Sequence, residues 1–155
     1  MVAPGEKAPD FEAPSIDGTT LRLSSLRGRI VVLYFYPRAM TSGCTREAQR
    51  FNELIEEFNK HNAVVIGVST DPIERNKRFA EKLGLKFTLL SDETGDIARM
   101  YGVLKPGTRR ASAQRTTFII DENGVVRKVI KNVRPAEKHA DEALQAVKEL
   151  ALGRD

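Results

Sequence analysis

The chain contains one cysteine, Cys44, in 155 residues, and that scarcity excludes an internal disulfide framework. It also excludes a Cys-x-x-Cys pair, so intramolecular dithiol exchange has no second thiol to use. Tryptophan is absent, and 3 Tyr with 7 Phe are too few aromatics to interleave with basic residues as a nucleic-acid face requires. Neither sign of charge dominates: 25 Lys and Arg are interspersed with 21 Asp and Glu along nearly every segment. Such mixing implies an ion-paired surface and not a polyanion-binding stripe. Long hydrophobic runs are missing too. The longest, around Ile30 to Tyr36, is far short of a bilayer's thickness, and Met1 to Lys7 has no apolar stretch of the signal-peptide kind. A cytoplasmic protein with no nucleic-acid or membrane partner is expected. One core suffices for this length, so a single domain over 1–155 is expected. His61 and His139 stand apart from any cysteine or acidic cluster with ligand spacing, and no P-loop or dinucleotide fingerprint occurs. No metal or other cofactor is expected.

What is present is clear periodicity. An Asp17-Gly18 turn between two short extended stretches reads as a hairpin. "RIVVLYFY", Arg29 to Tyr36, is a continuous apolar β-prone run of the kind found when both faces of a strand are covered, and Pro37 ends it. From about Cys44 to Lys60 the apolar residues Ala48, Phe51, Leu54, Ile55 and Phe58 fall on one helical stripe. A second buried strand covers Ala63 to Thr70, and Pro72 opens a helix to about Leu83 with Gly84 as its cap. A shorter strand at "FTLLSD" and a short helix from Thr94 to Tyr101 follow. "GVLKPGTRRASAQ" reads as a loop, and "TTFIIDENGVVRKVI" as a hairpin about Glu122-Asn123-Gly124. Glu137 to Leu152 is an amphipathic helix with Leu144, Val147 and Leu150 or Ala151 inward. This order predicts an α/β layer of thioredoxin-like fold with an N-terminal hairpin and an insertion around 85–113, ahead of the strand that carries Arg115.

Cys44 stands where a helix begins, directly after a strand and a Pro-to-Gly loop. Unpaired N–H groups and the positive dipole end make that a place where a thiol is reactive. The same cysteine also continues the apolar stripe, which equally suits a small buried residue. Its neighbours have similarly plain readings: Pro37 ends a strand, Thr41 or Ser42 caps a helix, Glu47 is a first-turn acid, and Arg115 is a solvated loop residue.

Taken as a set, "PRAMTSGCTRE" resembles the Pro-x-x-x-Thr-x-x-Cys signature of peroxiredoxins, the thiol peroxidases. "LYFYPRAMTSGCTREAQRF" is similar to the peroxiredoxin Q branch, also called bacterioferritin comigratory protein, and the likeness extends from "GEKAPDFEAPSIDG" to "RTTFIIDENGVVRKV". The resemblance implies that Cys44 is the peroxidatic nucleophile, that Thr41 and the Cys44 amide hold the peroxide, that Arg115 stabilises charge, and that Pro37 shields the pocket. Glu47 would orient an arginine through a carboxylate pair.

The chain departs from that pattern where many members carry a second, resolving cysteine: Gln49 occupies one such position and Ala80 another. Ser42 and Ala39 are smaller departures outside the catalytic roles. The implied cycle therefore reduces hydrogen peroxide, and organic hydroperoxides with it, through a Cys44 sulfenic acid resolved by an external thiol, either a small thiol or a thioredoxin-like protein. The competing reading is a peroxide-sensing redox switch or binding module with little turnover. A monomer is expected. Lys105, Arg109, Arg110 and Arg115 form a basic loop suited to an anionic hydroperoxide or an acidic reductase.

Overall fold

The computed structural model describes residues 1–106 and 111–153, so Arg109 and Arg110 of the basic loop lie outside the described residues. At the N-terminus the Asp17-Gly18 turn closes an antiparallel pair, β1 (Glu12–Pro14) with β2 (Thr20–Arg22). A central five-stranded sheet is built on β3 (Ile30–Phe35). Parallel to it run β4 (Ala63–Ser69) and then β5 (Thr88–Ser91). On its other side lie β8 (Thr116–Ile120) and β9 (Val126–Lys131), both antiparallel to their neighbours, in the order β5-β4-β3-β8-β9.

Every residue of β3 is buried, as its unbroken apolar run requires. Alternation along the strand divides its side chains between two cores. Ile30, Val32 and Tyr34 pack with α1 (Ser42–Glu53), α2 (Ile55–Lys60), α3 (Ile73–Leu83) and α5 (Lys138–Leu152). Val31, Leu33 and Phe35 face the other way, onto the N-terminal segment and α4 (Asp96–Tyr101). On the first side Tyr34 stacks on Phe51 with ring centroids 4.4 Å apart. Gly67 on β4 permits this packing, because a Cβ there would lie 2.7 Å from Leu89 Cδ2 and 2.9 Å from Tyr34 Cζ. Gly67→Ala is accordingly expected to lower stability by about 1–2 kcal/mol through overpacking, read as a shifted denaturation midpoint; an unchanged midpoint would mean that Tyr34 and Leu89 yield freely.

Two expectations are corrected. The long helix from Cys44 to Lys60 is two helices, broken at Leu54, whose ψ of 4° leaves the helical range. The stretch read as a loop after Tyr101 contains a small ladder, β6 (Leu104–Lys105) with β7 (Ser112–Ala113). By contrast, the shorter strand expected at "FTLLSD" is β5, which forms the edge of the central sheet beside β4. Likewise, α3 ends where the sequence indicates, with Gly84 left-handed at φ 62° and its N–H bonded to Ala80 and Glu81 carbonyls.

Candidate active site

Cys44 occupies the third residue of α1, directly beyond the C-terminal end of β3. The first intrahelical bond is from Thr45 N–H to the Thr41 carbonyl, which leaves the Cys44 amide among the unpaired donors of the first turn. Thr41 holds the cap position but its hydroxyl does not cap: it donates back to the Arg38 carbonyl at 2.8 Å. The Cys44 side chain is only 2% exposed and belongs to the core on the helical side of the sheet.

The loop before it is held from below. Ala39 is fully buried, its N–H donates to Asp71 Oδ2 at 2.7 Å, and its carbonyl accepts from Arg75 Nη2 at 2.7 Å. Asp71 and Arg75 are themselves ion-paired at 3.2 Å, one turn apart at the start of α3. This clamp explains how Met40 is kept at φ 68°, an unfavourable region for a side chain of its shape. Ala39, a minor departure by sequence, is the point at which the α3 end of the fold fixes the Cys44 loop.

Arg115 enters from the residue preceding β8, the strand paired with β3. Its Nη1 donates to Glu47 Oε1 at 2.6 Å and its Nη2 to Cys44 Sγ at 3.5 Å. One guanidinium thus joins a carboxylate and a sulfur that lie one turn apart on α1. Gly43 makes room for it, since a Cβ there would stand 3.1 Å from Nη2. Burial lowers the pKa of Arg115, but Glu47 and Cys44 outweigh it and leave the group above its ordinary value. Glu47 has no exposed surface, and its Oε2 lacks a hydrogen-bond partner among the described residues. Burial pushes its carboxyl up to about 8, against the opposing pull of Arg115.

Beneath this trio lies a residue the sequence did not connect to it. His139, on α5, is 1% exposed, shares a 2.9 Å hydrogen bond with Thr117 Oγ1, and places Nδ1 3.9 Å from Glu47 Oε2. Burial, and then Arg115, hold it down to about 4. Nothing in the sequence links His139 to Glu47; ninety-two positions separate them, and only the packing of α5 on α1 brings them together. Pro37 lies at the end of β3, half-buried, and borders the same opening as Gly43 and Arg115. Gln49 is exposed on the outer side of α1, and Ala80 is buried in α3.

A central sheet flanked by helices, with a cysteine at a helix start facing an arginine, has the form of a thiol-based oxidoreductase of thioredoxin fold. Comparison with known proteins narrows the class. The model of the AhpC/TSA family matches residues 4–129. The chain is 40% identical over 151 residues to peroxiredoxin Bcp of Bacillus subtilis, covering 95% of this chain and 96% of that one. It is likewise 40% identical to the chloroplastic peroxiredoxin Q of Sedum lineare, covering 96% of this chain and 80% of that one. Among solved structures, peroxidoxin BcpB from Mycobacterium tuberculosis superimposes with a TM-score of 0.91 at 39% identity, over 97% of this chain and 99% of the other. The bacterioferritin comigratory protein of Xanthomonas campestris, whose structures concern alkyl peroxide reduction, gives 0.88 at 31% identity, over 96% and 99%. The chain belongs to the AhpC/TSA family, within the Bcp and peroxiredoxin Q group of peroxiredoxins. Its activity is that of a thiol-dependent peroxidase, which reduces peroxides at the expense of a thiol. No helix among the described residues is long and apolar enough to cross a membrane.

Proposed function

We propose that Cys44 is the peroxidatic nucleophile of a one-cysteine cycle whose resolving thiol comes from outside the chain. The observation that carries this reading is the Arg115 guanidinium bridging Glu47 and Cys44 Sγ at the head of α1. The sulfur attacks one oxygen of the peroxide, the O–O bond breaks, and the departing oxygen takes up a proton and leaves as water or an alcohol. Charge gathers on that oxygen in the transition state, where Arg115 and the Cys44 amide supply donors. Glu47 holds Arg115 in place, Thr41 presents its hydroxyl to the peroxide once turned from Arg38, and Pro37 walls the opening. Hydrogen peroxide and organic hydroperoxides are the substrates, in line with the alkyl peroxides of the Xanthomonas relative.

The Cys44 sulfenic acid has no internal partner, since no other cysteine exists. An external thiol condenses with it, forming the S–S bond of a mixed disulfide and releasing water, and a second thiol then frees Cys44. The protein works as a cytoplasmic monomer, a reading supported by its composition and single cysteine. The test is intact mass after peroxide in the absence of any thiol. Equimolar peroxide is expected to give sulfenic acid trappable by a carbon nucleophile, and excess peroxide to convert it to the sulfinic acid, two oxygens heavier than the thiol. Sustained peroxide consumption without added thiol, or no oxidation of Cys44, would overturn the cycle. A switch with little turnover is separated by steady-state consumption once thiol is supplied.

A further inference from the structure

Beside the Cys44 site runs an open groove of about 1210 Å³. Pro37 and Gly43 border it on the α1 side, and it continues along residues 131–136, past the end of β9. Five of its lining side chains are cationic, Arg46, Lys105, Arg115, Lys131 and Arg134, and none of its described lining residues is acidic. On a chain where the two signs are otherwise evenly mixed, 25 against 21, that is a local departure. Arg46 makes a 3.4 Å contact with Glu137, both side chains partly in solvent. Lys105, Lys131 and Arg134 are exposed and make no ion pair among the described residues. No acid among the described residues neutralises the charge they carry into the groove.

Hydrogen peroxide is small and neutral, and makes no use of a cationic wall of this size. The volume is ample for a whole small molecule, for which ligand sites commonly measure roughly 300–1000 Å³. The cycle requires one such molecule, the reducing thiol, and its sulfur must approach past Gly43 and Arg115. The rest of it then meets the groove. We propose that this groove binds the reductant and that it takes a small thiol carrying about two negative charges, on carboxylates or on a phosphate. The inference rests on the external-thiol cycle. A slim ligand fits better than the acidic surface of a partner protein, because Cys44 is only 2% exposed and the cations line a concavity. With RSH as that thiol, Cys44–SOH and RSH give Cys44–S–S–R and water; a second RSH gives RSSR and restores the Cys44 thiol. The two electrons for each peroxide thus come from two thiols.

The test follows the second step alone. Sulfenic acid generated with equimolar peroxide is mixed with 2-mercaptoethanol, mercaptosuccinate or phosphopantetheine, with rates corrected for each thiol's thiolate fraction. Dithiothreitol serves as control, and the series is repeated in high salt and with the Lys105→Glu, Lys131→Glu double variant. The anionic thiols are expected to react on the order of tenfold or more faster than 2-mercaptoethanol at low salt. That advantage should shrink as salt screens it and disappear in the double variant, whose reaction with peroxide stays unchanged. Preference for mercaptosuccinate assigns carboxylates, and preference for phosphopantetheine assigns phosphate. Equal corrected rates, or an advantage that survives charge reversal, overturns the proposal. So does salt-sensitive reduction by an acidic thioredoxin-type protein with no preference among the small thiols. If dithiothreitol also leaves the sulfenic acid untouched, or none forms, it is the external-thiol cycle that has failed, and the groove assignment falls with it.

Discussion

Arg115→Ala is expected to slow oxidation of Cys44 by peroxide by roughly 10²- to 10³-fold, the loss that follows removal of a single donor aimed at developing charge. The guanidinium lies 3.5 Å from Sγ and 2.6 Å from Glu47, so it serves the sulfur and steadies the buried acid at once. Breaking a buried pair by removing one partner ordinarily costs about 3–5 kcal/mol. Glu47 has a way to escape part of that cost. Its carboxyl already titrates at about 8, and without Arg115 it moves higher still and is neutral at pH 7. The variant should therefore fold near and below neutrality and lose stability as pH rises. Rates measured at pH 6 on folded protein, by stopped flow with the sulfenic acid trapped, separate the catalytic loss from unfolding. Arg115→Lys keeps the charge but not the fork that spans two acceptors, and its rate should fall between parent and alanine. A rate for Arg115→Ala within about tenfold of the parent's, well short of what one aimed donor supplies, would show that Arg115 only gives the buried Glu47 carboxyl a hydrogen-bond partner.

Much of this was visible in the chain. The unbroken apolar run of β3, the helical stripe of α1 and the Gly84 cap each reflect local chemistry that one segment carries on its own. The site was legible where residue order carries it: Pro37, Thr41, Cys44 and Glu47 fall within eleven consecutive residues. Arg115 was legible only through resemblance, because nothing near it in sequence announces a buried guanidinium. The pairing of β8 with β3 is what delivers it. The Ala39 clamp and His139 were not legible at all. Each joins segments brought together by tertiary packing, one through backbone atoms that side-chain identity does not report, the other through a histidine on the C-terminal helix. The break at Leu54 was hidden for a different reason: the apolar stripe passes through it without interruption, while the backbone does not.

The buried Glu47 and His139 predict an unusual dependence of stability on pH, since their shifts run in opposite directions. Glu47 is raised from 4.5 to about 8, so its stabilising contribution is complete below pH 4.5 and is lost as pH climbs through 8. His139 is lowered from 6.5 to about 4, so its contribution is complete above pH 6.5 and is lost as pH falls through 4. Between about 4.5 and 6.5 the two slopes oppose one another and the parent should show a plateau. From 6.5 to 8 only Glu47 titrates, and stability should fall by about 2 kcal/mol at 1.36 kcal/mol per pH unit. Urea denaturation at half-unit steps would show it. His139→Gln, which keeps a partner for Thr117, should turn the plateau into stability that keeps rising as pH falls from 8 to 4.5. Glu47→Gln should flatten the alkaline side and leave the acid loss. Comparing variants with parent removes other titrations common to both, such as Asp92, which burial also pushes up. Arg115 faces both groups and remains charged throughout, so it shifts the two transitions without adding one of its own. A parent curve that rises steadily from pH 6.5 to 8 would mean that Glu47 is ionised well below neutrality. The 2.6 Å contact with Arg115 would then be a full ion pair over the whole working range.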